Sequence, residues 1–173
     1  MLKDFVDEYE RYKLIGRKAL AQVSDDFLNK VIGADNNSIA VIVRHISGNL
    51  ISRFTDFLTS DGEKSWRDRD SEFAEKDYSR EELDEIWEKG WKVLEATLGE
   101  LTDDDLIRTV TIRGHKHSVH EALSRSMAHI AYHTGQIVLL ARIFNDGNWQ
   151  WISVPKGKTQ EYNQNPTMEK RPA

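Results

Sequence analysis

The sequence predicts an all-α protein arranged as a four-helix bundle. Apolar residues recur at helical spacing through four long segments. Capping signals open two of these segments, and strand-type alternation is confined to the short stretch "RTVTIR". At 173 residues the chain is long enough for one domain with a substantial core and short for two. The expected division is a single domain over 1–173, with a helical core at 2–145 and a C-terminal tail at 146–173.

The first helix is read over residues 2–22, where Leu2, Phe5, Val6, Tyr9, Tyr12, Leu14 or Ile15, and Leu20 share a face. Gly16 is a mild weak point in its helix propensity. A short turn follows in "SDDFLNKVIG", capped by Ser24 or Asp25 and closed by Gly33. The second helix lies within "SIAVIVRHISGNLISRFTDFLTSDG", through Ile39, Ile42, Ile46, Leu50, Phe54 and Phe57. Its periodicity runs well past strand length, so the opening "IAVIV" is not a buried strand, and Asn37 is the expected N-cap.

From Asp61 to Tyr78 the pattern breaks into a polar, charged connection with isolated aromatics. Connections of that length are uncommon in compact domains and are often functional. Ser79 and Glu82 then form a capping box for a third helix. This helix faces inward through Leu83, Ile86 or Trp87, Val93 or Leu94, and Leu98, with Gly99 as its stop. "RTVTIR" is alternating and β-branched, which predicts a short extended element or hairpin. A second capping box, Ser118 and Glu121, opens the fourth helix, which runs from Val119 to about Phe144. Its stripe is Val119, Leu123, Ser126, Ile130, His133, Ile137, Leu140 and Phe144. The tail loses all periodicity; Trp149 and Trp151 are expected to pin its start and its far end to be flexible.

Composition removes several function classes. The net charge of −5, with no run of interleaved basic and aromatic residues, disfavours nucleic acid and anionic membranes as partners. There is no cysteine, so thiolate nucleophiles and cysteine-held metals are excluded, and any metal must be bound by nitrogen or oxygen. The N-terminal "MLKDFVDEYERYK" lacks the apolar core of a signal peptide. No apolar run approaches the roughly 20 residues of a membrane span, and a cytoplasmic protein is expected.

The histidines pose the chemical question. His129 and His133 lie one turn apart on nearly the same face of the fourth helix, and His45 lies beside Ile42 and Ile46 on the second. Two readings stand: ordinary packing histidines, or three corners of one metal site. Burying three imidazoles without a use costs desolvation and hydrogen-bond partners, which weighs toward the second. His115, His117 and His120 form another cluster at the entry to the fourth helix, too far along its rise to join His129, and are read as surface or end-of-bundle residues.

The segments "SIAVIVRHISGNLISRFTDFLTSDGEKSWRDRDSEF", "TIRGHKHSVHEALSRSMAHIAYHTGQIVLLARI" and "WISVPKG" together resemble the DinB-like superfamily, also called the YfiT-like group, in its branch of small bacterial proteins of unknown function. The resemblance covers about Ser38 to Gly157 and rests on a histidine in the second helix plus an HxxxH pair in the fourth, followed by Gln. It implies up-down-down-up connectivity and a divalent metal, nickel or zinc, on His45, His129 and His133. It also implies a homodimer, and for characterised relatives either transfer of a low-molecular-weight thiol or metal-dependent hydrolysis.

A three-histidine metal with an open position lowers the pKa of a bound water or thiol. A small-molecule substrate is expected, and the resemblance implies a thiol-dependent S-transferase as the leading reaction. A hydrolase using metal-bound water is the alternative, and a non-catalytic metal-binding or stress-response bundle a third reading. No general base is evident, since His129 is followed by "IAYH" rather than an HExxH pattern. Arg44, Asn49, Tyr132 and Gln136 are the polar neighbours of the ligands in sequence, with Gln136 a candidate for orienting an imidazole. Asn49 and Arg53 continue a polar line from His45 along the second helix, read as a pocket wall or a partly exposed face. Trp66, Arg67 and Arg69 in the long connection could cover the site and hold an anionic substrate; the alternative for the two arginines is pairing with Asp68 and Asp70.

Overall fold

The structure is a computed structural model that describes residues 1–74, 76–145 and 147–166. Four long helices carry it: α1 (Leu2–Leu20), α2 (Ile39–Phe54), α3 (Arg80–Glu100) and α4 (Val119–Phe144). A two-stranded antiparallel hairpin, β1 (Thr109–Ile112) and β2 (His115–Ser118), sits between α3 and α4, and a short α5 (Thr159–Asn163) lies in the tail. The bundle packs chiefly as α2 on α3 and α1 on α4. No helix among the described residues is long and apolar enough to cross a membrane.

Both capping boxes form as the sequence predicts: Ser79 and Glu82 satisfy each other's backbone N–H groups at the start of α3, and Ser118 and Glu121 do so for α4. The N-cap of α2 is Ser38 rather than Asn37; its Oγ accepts from Val41 N at 3.2 Å. That helix also stops earlier than the periodicity suggests. Thr55 turns extended and Asp56 takes φ +50, so Phe57 folds back out of the helix to pack on Phe54, ring centroids 5.1 Å apart. α3 runs through Gly99 to Glu100 and ends where the chain turns extended at buried Leu101.

The core is built from α2 and α4 residues such as Ile46, Leu50, Leu123, Ile130 and Ile137, together with Trp87 and Trp91 of α3. Each such side chain contributes about 1.5–3 kcal/mol of burial. Of the alternatives left open on α1 and α3, Leu14 is exposed and Trp87 is the more deeply buried of its pair. Small residues bring α2 and α3 together. A Cβ placed on Gly90 would stand only 2.7 Å from the Ser47 Cα, and Ser47 Oγ donates to the Ile86 carbonyl at 2.6 Å. On the other pair, the Tyr9 hydroxyl donates across to the Leu123 carbonyl at 2.8 Å.

The long connection is not a free loop. Gly62 N donates to Thr111 O at 2.8 Å, tying it to β1, and Ser52 Oγ donates to Gly62 O at 2.9 Å. It then forms a 3₁₀ turn, Asp70–Phe73, packed on α2. In the tail, Trp149 packs against the core, while Trp151 is 44% exposed beneath the Arg142 guanidinium at 4.9 Å. α5 was not legible as a periodic segment, and the tail end expected to be flexible lies outside the described residues from 167 on.

Candidate metal centre

α2 and α4 bring His45, His129 and His133 to one point. One ligating nitrogen from each lies within 4.8 Å of the other two. The α4 pair is a single turn apart, with ring centroids separated by 4.5 Å, and His45 stands 5.0 and 4.8 Å from them. His45 is 5% exposed. The other two are half-buried.

Hydrogen bonds set which nitrogen each ring offers. His45 Nδ1–H donates to Glu72 Oε2 at 2.9 Å, which leaves Nε2 with its lone pair facing the cluster. His133 Nδ1–H donates to Gln136 Oε1 at 2.8 Å, to the same effect. His129 Nε2 lies 3.0 Å from His45 Nε2, and its Nδ1 is buried with no hydrogen-bond partner among the described residues. Two protonation patterns follow for His129, and neither satisfies it. With the proton on Nε2 it bonds to His45, but Nδ1 becomes a buried bare acceptor. With the proton on Nδ1, a buried donor is unpaired and two lone pairs oppose each other at 3.0 Å. A cation between the Nε2 atoms removes that repulsion, so the donor set fits a metal that prefers neutral nitrogen.

Electrostatics keep the ligands in the form a metal requires. Burial, then the neighbouring rings of His133 and His45, then the charges of Arg67 and Arg53, push the His129 pKa down to about 3. Burial likewise lowers that of His133, against the hydrogen bond to Gln136. For Glu72, burial alone would raise the carboxyl, but the hydrogen bonds from His45 and Arg67 outweigh it and hold it below the ordinary range.

Glu72 is the site residue that sequence reasoning missed. It belongs to the 3₁₀ turn of the long connection and reaches over α2. Arg67 holds it through Nε to Oε1 at 2.8 Å and Nη2 to Oε2 at 2.9 Å. Arg67 thus pairs with Glu72, and not with the adjacent Asp68; its side chain is 3% exposed. Gly48 makes this approach possible: a Cβ there would stand 2.8 Å from the Glu72 Cδ. The only advance signal was the length of the connection, because one glutamate among many charged residues is not distinctive.

The remaining expected residues fall into place unevenly. Arg44 donates to Ala74 O at 3.1 Å and to Ser71 O, and its guanidinium lies over the Tyr78 ring. It braces the connection and does not face the histidines. Asn49 is buried on the same α2 face as His45. Arg53 is mostly buried one turn further on. Tyr132 packs edge-on against His133 at 4.9 Å yet is 65% exposed. Trp66 is 58% exposed, and Arg69 lies over the Phe73 ring. His115 and His120 are exposed, and His120 packs edge-on to Phe5; the one metal-competent histidine group among the described residues is the cluster above. A cavity of about 910 Å³ lies elsewhere, between α1 and α3 beside Trp151 and Tyr162, and no histidine lines it.

Comparison with curated proteins and with solved structures gives no match. Residues 1–158 match a family described as "Protein of unknown function (DUF1572)". The match spans all four long helices, the hairpin and the histidine cluster, and the chain therefore belongs to this family within the DinB/YfiT-like superfamily.

Proposed function

We propose that the protein is a divalent-metal-dependent enzyme acting on a small molecule, with zinc or nickel held by the Nε2 atoms of His45, His129 and His133. The observation that carries this reading is the group of three imidazoles with two of their Nδ1–H groups fixed outward, on Glu72 and Gln136. Three protein ligands, with no fourth in the group among the described residues, is the pattern of catalytic rather than structural zinc. When bound, the metal would supply Lewis acidity and lower the pKa of a water or thiol at its open position.

The chain's own residues do the rest. Glu72 and Gln136 orient the ligating rings, and Arg67 keeps Glu72 charged and in place. Glu72 is committed to His45 and Arg67, so it is not available as a base. A nucleophile activated by the metal itself fits that arrangement, and with no cysteine in the chain a thiol nucleophile has to be a low-molecular-weight cofactor. We take thiol-dependent S-transfer as the leading reaction and hydrolysis as its alternative. A second copy of the chain is the proposed protein partner: Tyr132, Leu139 and Ile143 leave an apolar stripe exposed along α4.

The test is to load the protein with zinc or nickel and assay conjugation of a low-molecular-weight thiol to a chromogenic electrophile, beside hydrolysis of a chromogenic ester without thiol. Thiol-dependent turnover that disappears in His133→Ala supports the transferase. Thiol-independent ester cleavage with the same dependence supports the hydrolase. Turnover of neither by a stoichiometrically loaded protein leaves a metal-binding bundle without catalysis and sinks the enzymatic reading.

A further inference from the structure

Arg53 presents a charge that the protein leaves incompletely answered. It follows His45 and Asn49 at four-residue intervals along one face of α2, two turns or about 12 Å from the histidine. Its side chain is 17% exposed, and its Nη1 is buried with no hydrogen-bond partner among the described residues. Glu63 Oε2 stands 3.7 Å from that nitrogen, beyond hydrogen-bond range, and instead accepts from Arg113 Nε at 3.1 Å. Glu63 and Asp61 attract the Arg53 charge, while Arg113 and Arg67, the arginine that holds Glu72 against His45, repel it. Two guanidinium groups therefore flank the polar face of α2, and one has an unmet buried N–H.

A buried charged donor that has an ion pair but no hydrogen bond is costly, and such a group is commonly satisfied by what binds there. An arginine fork matches the paired oxygens of a carboxylate or phosphate and discriminates strongly for them. We propose that Arg53 is an oxyanion subsite: the substrate carries a carboxylate or phosphate-type group that binds Arg53 while its reacting end lies at the histidine cluster. The second half of this statement rests on the metal-site reading above; the first half does not.

The test uses the full chain, metal-free and zinc-loaded, titrated calorimetrically with acetate, methylphosphonate and succinate. Wild-type protein binds at least one of the two single-headed oxyanions in both forms, and Arg53→Gln weakens that binding at least tenfold. Arg53→Lys, which keeps the charge and loses the fork, recovers part of it. Circular dichroism and a melting curve establish that each variant is folded. Whichever of acetate and methylphosphonate binds more tightly names the head group. In the zinc-loaded form alone, succinate gains over acetate because it reaches a second anchor.

Binding that stays within twofold of wild type in Arg53→Gln overturns the subsite, as does a wild type that binds none of the three probes. A protein that never retains zinc but loses oxyanion binding in Arg53→Gln keeps the subsite and refutes the metal reading instead. The two failures are thus separable.

Discussion

Gly48→Ala sets two effects of opposite sign against each other. Replacing a helix-interior glycine by alanine stabilises a helix by roughly 0.5–1 kcal/mol, and on an open face of α2 that would be the whole effect. Gly48 is not on an open face. The new Cβ would stand 2.8 Å from the Glu72 Cδ, closer than side-chain carbons tolerate. Glu72 cannot simply swing aside, because both of its oxygens are held by Arg67 and one also receives His45 Nδ1–H. Displacing it breaks a mostly buried charge pair, for which about 3–5 kcal/mol is typical. The net expectation is a loss of about 2–4 kcal/mol in urea unfolding of the metal-free protein.

The same displacement frees the His45 ring. Loss of an outer partner of a ligating histidine costs about 10–100-fold in metal affinity, or about 1.4–2.7 kcal/mol, readable by competition with a chromophoric chelator. Gly135→Ala is the control, since a Cβ at that α4 position meets nothing within 4 Å and should be neutral or stabilising. A Gly48→Ala protein as stable as Gly135→Ala, with unchanged metal affinity, would refute the seating of Glu72 against α2.

Glu72→Gln keeps an acceptor for His45 but removes the charge that answers Arg67; metal affinity is expected to fall about tenfold or more by the same chelator competition, with a smaller loss for Gln136→Ala at the half-buried His133. Gly90→Ala should destabilise the fold by about 1–3 kcal/mol in urea unfolding despite better helix propensity, because the methyl meets the Ser47 backbone. Asp61 accepts backbone N–H groups from Glu63, Gly114 and Arg113, which hold its carboxyl well below the usual range. A depressed folded-state pKa means that its contribution is complete above the unfolded value of about 3.9 and drains away as pH falls below it. Stability measured from pH 6 to pH 2 should therefore drop more steeply in wild type than in Asp61→Asn; parallel curves would contradict the staple.

The four helices were legible because their apolar spacing and capping boxes are local, and the histidine cluster because a turn of α4 fixes two of its members. What escaped depends on approach in space. Gly16 reads in sequence as a weak point of α1, yet a Cβ there would stand 2.8 Å from Trp87 Cζ2, so the residue makes room for the core. Gly48 looks equally unremarkable until Glu72 is placed over it. Glu72 sits 27 positions from His45 in a segment without periodicity, and nothing local distinguishes it from its charged neighbours. Arg44 shows the reverse error: adjacency to His45 in sequence suggested a site residue, but helical geometry turns it outward onto the connection.

The most direct measurement is elemental analysis of untagged protein beside a His45→Ala, His129→Ala, His133→Ala variant, each dialysed against zinc and nickel. About one divalent ion is expected per wild-type chain, and none in a variant that still melts cooperatively. A folded wild type that retains no metal after reconstitution, or a triple variant that retains as much as wild type, would contradict the three-histidine centre.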